Sequence, residues 1–197
     1  MNGVVYLVRH GETALNADGR LRGHLDPPLN EAGEQEVGML GAAFAELEQP
    51  PHRIVAGPLL RTRQTAGAIA RALGLDVLVD DRLIDRDYGP WTGEPAAEVR
   101  ARFGADLDEL PDAEPAGAVV ARAWEALEAQ LPFLDEPVVL VSHDAVASRL
   151  LAAVDPTLGP AVGIVQDTAC WNRLERIGSS WDAMVVNGSW RTLVPRP

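Results

Sequence analysis

Val4-Val5-Tyr6-Leu7-Val8-Arg9-His10-Gly11-Glu12-Thr13-Ala14 opens the chain on an apolar run that delivers an arginine and a histidine into a glycine-containing loop. A continuous apolar segment of this kind reads as a strand buried on both faces. In open α/β sheets ligands bind beyond the carboxyl ends of such strands, so an imidazole beside a fixed guanidinium predicts a phosphate site there. The pattern recurs in Val138-Val139-Leu140-Val141-Ser142-His143, a second apolar strand that ends on a histidine. Between the two, Ile54-Val55-Ala56 passes through Gly57-Pro58 into Leu60-Arg61-Thr62-Arg63-Gln64-Thr65-Ala66, which reads as the start of a helix. Strand ends therefore offer His10 with Arg9, Arg61, and His143.

Outward from these segments the chain alternates between strand and helix patterns. Asn30 is placed to cap a helix over 31–48, whose Val37, Leu40, Phe44 and Leu47 recur at helical spacing before Pro50-Pro51. A helix over 60–73 ends on Gly74, and 76–79 reads as a short strand. Residues 96–103 form one short helix in a poorly periodic, proline-rich and acidic stretch, so 91–115 is expected to be a cap over the site. A helix over 118–134 carries an apolar stripe of Val120, Trp124, Leu127 and Leu131, which reads as core. A further helix over 144–154 follows His143, and 170–177 with 181–186 form a hairpin around Gly178-Ser179-Ser180. No internal repeat or low-complexity linker interrupts this order. The expectation is one domain over 1–197, an α/β fold of three layers, α/β/α, with a mostly parallel central sheet.

Composition is consistent with that expectation. A chain of 197 residues, 47% hydrophobic, is long enough for a core that needs no disulfide or structural metal. The single cysteine, Cys170, has no internal partner; it reads as a small core residue, and a reducing cytoplasm is the expected compartment. The chain enters its first strand without a signal-peptide pattern, and no apolar run is long enough to cross a bilayer. A formal net charge of −12 disfavours nucleic acid and anionic membranes as partners. An anionic ligand then needs a local positive well, for which Arg9, Arg61 and Arg22 are the candidates. The terminal hairpin leaves a sheet edge that a homodimer can use.

Taken in order, these motifs resemble the histidine phosphatase superfamily, the phosphoglycerate mutase-like group. The resemblance covers nearly the whole chain: Arg9-His10-Gly11-Glu12-Thr13; Asn16; the stretch 20–33 with Gly23, Asp26, Leu29 and Asn30; Leu60 to Ala66; Leu83-Ile84-Asp85-Arg86-Asp87-Tyr88-Gly89-Pro90-Trp91-Thr92-Gly93; and Val141-Ser142-His143. It implies a phosphoglycerate mutase-like fold and a phosphatase that works through a phosphohistidine on His10, without metal or other cofactor, on a small phosphorylated metabolite.

Arg9, Arg61 and His143 are then the groups that surround the transferred phosphoryl group. A neutral imidazole attacks phosphorus, and water later hydrolyses the phosphohistidine. An alkyl leaving group needs a proton. The family pattern puts a glutamate two residues after Leu83, whereas this chain has Asp85; Asp144, directly after the second histidine, is the alternative donor, and it also reads as a helix cap. Thr13 and Asn16 are candidate hydrogen-bond donors to phosphate. Gly11 and Gly23 allow close backbone approach, Glu12 orients its neighbours, and Arg22, with Arg20, is a candidate reader of a second anionic group. Gly57 stands where the family often has serine. Phosphoglycerate mutase-type transfer remains an alternative, as does a phospho-ligand binding protein without turnover.

Overall fold

The computed structural model describes residues 3–105 and 107–193. In chain order its elements are β1 (Gly3–Arg9), α1 (Ala14–Ala17), α2 (Glu31–Ala45), β2 (Arg53–Ala56), α3 (Leu60–Leu73), β3 (Val77–Val79), α4 (Ala96–Phe103), α5 (Ala116–Glu128), β4 (Val138–Ser142), α6 (Asp144–Val154), β5 (Trp171–Ile177), β6 (Ser180–Gly188) and α7 (Trp190–Leu193). The strands form a six-stranded sheet in the order β3-β2-β4-β1-β5-β6. Strands β1, β2, β3 and β4 pair in parallel, and β5 and β6 add an antiparallel edge. This is the α/β fold with a mostly parallel central sheet that the alternation of patterns implied.

Alternate side chains of a strand point to opposite faces, and the two faces carry separate cores. Tyr6, Val8, Ile54, Val139 and Val141 pack with Val37, Leu40 and Phe44 of α2 and Ile69 of α3. Val5, Leu7, Val55, Leu140 and Leu174 pack with Val119 and Leu127 of α5 and Val146 and Leu150 of α6. Each such residue contributes about 1.5–3 kcal/mol on full burial, so the strand ends are fixed by layers on both sides. A third cluster of Leu21, Tyr88, Val99, Leu107 and Leu110 ties the 91–115 stretch to Ala145, beside the start of α6.

The elements depart from expectation mainly at their ends. Helix α2 stops at Ala45 with Glu46 as its C-cap, so Leu47 packs against the core from beyond the helix. The helix expected over 118–134 is α5, from Ala116 to Glu128, followed by a separate 3-10 turn at Leu131–Phe133. Pro132 explains the break, because its missing N–H and its constraint on the preceding residue stop a helix. The buried stripe is correspondingly Val119, Ala123, Ala126 and Leu127; Trp124 is half-buried and Leu131 is exposed. In the hairpin, β6 runs from Ser180 to Gly188, longer at both ends than expected.

Candidate active site

Arg9 lies opposite Ser142 in the parallel pairing of β1 with β4. The residues that follow, His10 and His143, therefore leave the sheet at the same edge. The His10 N–H donates to the Ser142 carbonyl at 3.0 Å, and the two imidazoles meet edge to face with centroids 5.1 Å apart. Arg61 enters from the first turn of α3. Its Nε donates to His10 Nε2 at 3.3 Å, and its terminal nitrogens donate to the carbonyls of Leu25 (2.7 Å) and Gly23 (3.0 Å) and to Asp85 Oδ2 (3.0 Å). His10, Arg61, Asp85 and His143 are all 0% exposed.

The tautomer of His10 follows from its neighbours. Its Nδ1 stands 2.7 Å from the Gly11 carbonyl, which only accepts, so Nδ1 carries the proton. Nε2 is then left as an acceptor, facing Arg61. Burial first, then the charges of Arg9, Arg61 and Arg22, hold the His10 pKa well below 6.5. His143 is held low as well, by burial and then by Arg61 and His10. Both rings are neutral near neutral pH.

The two carboxylates are perturbed in opposite directions. Asp85 is raised, because burial outweighs the attraction of Arg61 and Arg22. Its Oδ1 accepts from the Arg86 N–H at 2.9 Å, and its Oδ2 lies 3.7 Å from His143 Nδ1. Asp144 is also penalised by burial, but Arg22 and Arg9 overcome this and hold it well below the usual carboxylate range. Arg22 Nη2 reaches Asp144 Oδ1 at 3.0 Å and Arg9 Nη2 lies 3.7 Å from Asp144 Oδ2. Asp144 is the first residue of α6, one position past the N-cap His143, whose side chain makes no capping bond; Asp144 Oδ1 instead accepts from the Ala145 N–H at 2.7 Å.

Seven of the expected residues, Arg9, His10, Arg22, Arg61, Asp85, His143 and the alternative acid Asp144, thus converge. Arg22 is buried within this cluster rather than standing apart from it, whereas Arg20 is exposed and donates to the Gly93 carbonyl. Thr13 and Asn16 are engaged with each other: Thr13 caps α1, and Asn16 Oδ1 accepts from the Thr13 N–H (3.1 Å) and hydroxyl (2.7 Å). Gly11 has its close approach to α2, since a Cβ there would stand 2.7 Å from Val37 Cγ1 and 2.8 Å from the Gly33 carbonyl oxygen. Gly23 serves through its carbonyl, on Arg61. Glu12 orients the loop by accepting from Asn30 Nδ2 at 2.7 Å.

Sequence reasoning missed three contributors. Arg9 Nη1 donates to the Gln166 carbonyl; Gln166 sits in an aperiodic stretch with no signal. Thr65 Oγ1 accepts from the Gly11 N–H at 3.1 Å; it lies one helical turn beyond Arg61, and that spacing is the signal that points to it. Ser142 Oγ donates to the Leu83 carbonyl at 2.8 Å, and its place between Val141 and His143 was visible.

Cations and neutral donors dominate the crevice. Among the described residues, Arg9 Nε, Arg22 Nε and both ring nitrogens of His143 are buried without a hydrogen-bond partner. Buried polar groups are rarely left so, and a tetrahedral oxyanion is the ligand that the two guanidinium N–H groups and the one N–H of the neutral His143 ring match. No group of three or more His, Cys, Asp or Glu side chains among the described residues is arranged to hold a metal. Cys170 is buried, and burial first pushes its thiol up to about 12, which suits a core residue and not a nucleophile.

The profile of the histidine phosphatase superfamily (branch 1) matches residues 5–188. The chain belongs to this superfamily. A relative, the probable phosphoglycerate mutase GpmB of Enterobacter sp. (strain 638), is 35% identical over 161 residues, 76% of this chain and 74% of its own length. The bifunctional protein Rv2228c of Mycobacterium tuberculosis is 42% identical over 96 residues, which span 49% of this chain and 26% of that protein. Among solved structures, the mycobacterial glucosyl-3-phosphoglycerate phosphatase Rv2419c is similar with a TM-score of 0.83 and 27% identity over 96% of this chain and 100% of the other. A phosphoglycerate mutase from Bacillus anthracis str. Sterne shares the fold, with a TM-score of 0.81 at 18% identity over 98% of this chain and 95% of the other. The Arg9-His10-Gly11 sequence of this histidine phosphatase superfamily member lies within the matched residues. Among the described residues, no helix is long and apolar enough to cross a membrane.

Proposed function

We propose that this histidine phosphatase superfamily member is a phosphatase that hydrolyses a small soluble phosphomonoester through a phosphohistidine on His10. One observation carries the reading: a buried, neutral imidazole has its Nδ1 proton committed to the Gly11 carbonyl and its Nε2 facing a guanidinium. Such a nitrogen attacks phosphorus without first losing a proton. The P–N bond forms as the P–O bond to the alcohol breaks, and Arg9, Arg22, Arg61 and His143 hold the charge on the transferred oxygens. Asp85, whose pKa is raised, gives its proton to the departing oxygen. Water then attacks phosphorus, Asp85 recovers a proton from it, and the P–N bond breaks to release phosphate and neutral His10.

The remainder of the substrate is assigned to a cavity of about 480 Å³ that adjoins the site at Asp144 and Gln166 and runs between Tyr88, Leu107, Ser148 and Val165. That volume suits a metabolite-sized alcohol. The likeness to a probable phosphoglycerate mutase over 76% of the chain supports a second reading, in which the phosphoryl group returns to a bound product.

The test is a panel of phosphorylated metabolites and one aryl phosphate, assayed with wild type and His10→Ala. Phosphate release should fall by roughly a thousandfold or more in the variant. Equal rates in both proteins contradict the proposal, and a requirement for a bisphosphorylated primer moves it to the mutase reading.

A further inference from the structure

Asp85 has a short side chain in a fully buried position, and its reach depends on where its backbone stands. Several contacts set that backbone, among them His24 Nε2 at 3.0 Å from the Asp85 carbonyl oxygen. Arg122, on α5, donates to the carbonyls of Arg82 (2.7 Å), Ile84 (2.6 Å) and Asp85 (3.1 Å). Its guanidinium is itself fixed by a two-point pairing with Glu114, Nε to Oε1 at 2.8 Å and Nη2 to Oε2 at 3.0 Å. Glu114 in turn accepts from the Asp87 N–H at 3.2 Å and, through its carbonyl, from Arg86 Nε at 2.8 Å. From the opposite side, Ser142 Oγ holds the Leu83 carbonyl at 2.8 Å. Gly57 makes room for that approach, since a Cβ there would stand 2.6 Å from the Leu83 carbonyl oxygen.

We propose that Arg122, anchored by Glu114, is a positioning residue that presses the 82–85 segment against Gly57 and Ser142 and so delivers the short Asp85 carboxyl to the leaving group. The proposal rests on the reading of Asp85 as the proton donor. One guanidinium that ties three carbonyls of one loop has a rigid fork suited to this task, which a lysine cannot reproduce. The carbonyls it holds belong to the loop carrying Asp85, not to the loops carrying His10 or His143, and Arg61, although it donates to Asp85, is also held by the Leu25 and Gly23 carbonyls, so the loss of Arg122 acts first on proton delivery and far less on attack at phosphorus.

The test compares an alkyl with an aryl phosphate, because an aryl leaving group needs little protonation. In Arg122→Met, kcat for the alkyl ester should fall about 10- to 100-fold, while the aryl ester should change by less than about threefold. Arg122→Lys should recover little of the loss, and Gly57→Ala should show the same alkyl-selective pattern. In an Asp85→Asn background, Arg122→Met should add no further alkyl-selective loss. Circular dichroism and thermal melting establish that each variant is folded; if Arg122→Met is not, Arg122→Lys and Gly57→Ala carry the comparison. Equal losses on both esters, or a selective loss that persists without Asp85, overturn the proposal. If Asp85→Asn itself shows no alkyl-selective loss, the assignment of the acid fails, a distinct outcome from an Asp85→Asn effect that Arg122 variants do not share.

Discussion

A histidine attacks phosphorus only while its nitrogen is bare, and here both burial and arginine charge keep it so. The same arrangement makes stability depend on pH. His10 and His143 have folded-state pKa values well below 6.5, so below about pH 6.5 the unfolded chain binds more protons than the folded one. The contribution of the two histidines is then full above that pH and declines as pH falls through the window beneath it. Urea midpoints across this range should drop on acidification, with a smaller drop in His143→Asn; equal slopes in the two proteins would show that the ring is not held neutral. The two carboxylates separate by their partners. Asp85→Asn should cost about 10²- to 10⁴-fold on an alkyl ester and far less on an aryl ester. Asp144→Asn, which removes an ionised partner of Arg9 and Arg22, should alter KM and leave the alkyl-to-aryl ratio as in wild type. Steady-state kinetics on both esters decides, and the opposite pattern would assign the acid to Asp144. The residue types at strand ends were legible because each ends an apolar run. The opposite states of Asp85 and Asp144 were not, since they depend on which arginines fold against each.

Elements place these residues by close contact between backbones. At Gly33, in the first turn of α2, a Cβ would stand 2.2 Å from the Glu12 carbonyl oxygen and 2.6 Å from the Glu12 nitrogen. Gly33→Ala must therefore push α2 away from the loop that carries His10. A loss of about 1–3 kcal/mol in denaturant titration is expected, together with reduced turnover; unchanged stability would mean that the contact yields easily. Helix positions were readable where capping and periodicity agree, as at Asn30, whose side chain accepts from the Gly33 N–H at 2.8 Å. They misled at α5, where the apolar residues near Leu131 extended the pattern to a proline that the backbone carries only in a separate 3-10 turn.

At the scale of the molecule, a chain with a formal charge of −12 collects Arg9, Arg22 and Arg61 around one crevice. That local field, rather than the net charge, is what an anionic ligand meets. Because guanidinium groups supply the charge that a divalent ion supplies elsewhere, turnover should be unchanged after exhaustive chelation. A loss restored by added divalent metal would contradict this. The mostly parallel character of the sheet follows from patterns that alternation makes visible; the strand order does not, nor does the cavity beside Asp144, part of whose wall is a 3-10 turn at Ala161–Gly163 and the aperiodic residues up to Gln166. The proposed reaction turns on a covalent bond between phosphorus and His10. Acid-free quenching of turnover with a phosphorus-labelled substrate, followed by peptide mass spectrometry, should place the label on the His10 imidazole in wild type and nowhere in His10→Ala. Label on another side chain, or turnover with no covalent species formed at a competent rate, would contradict the account.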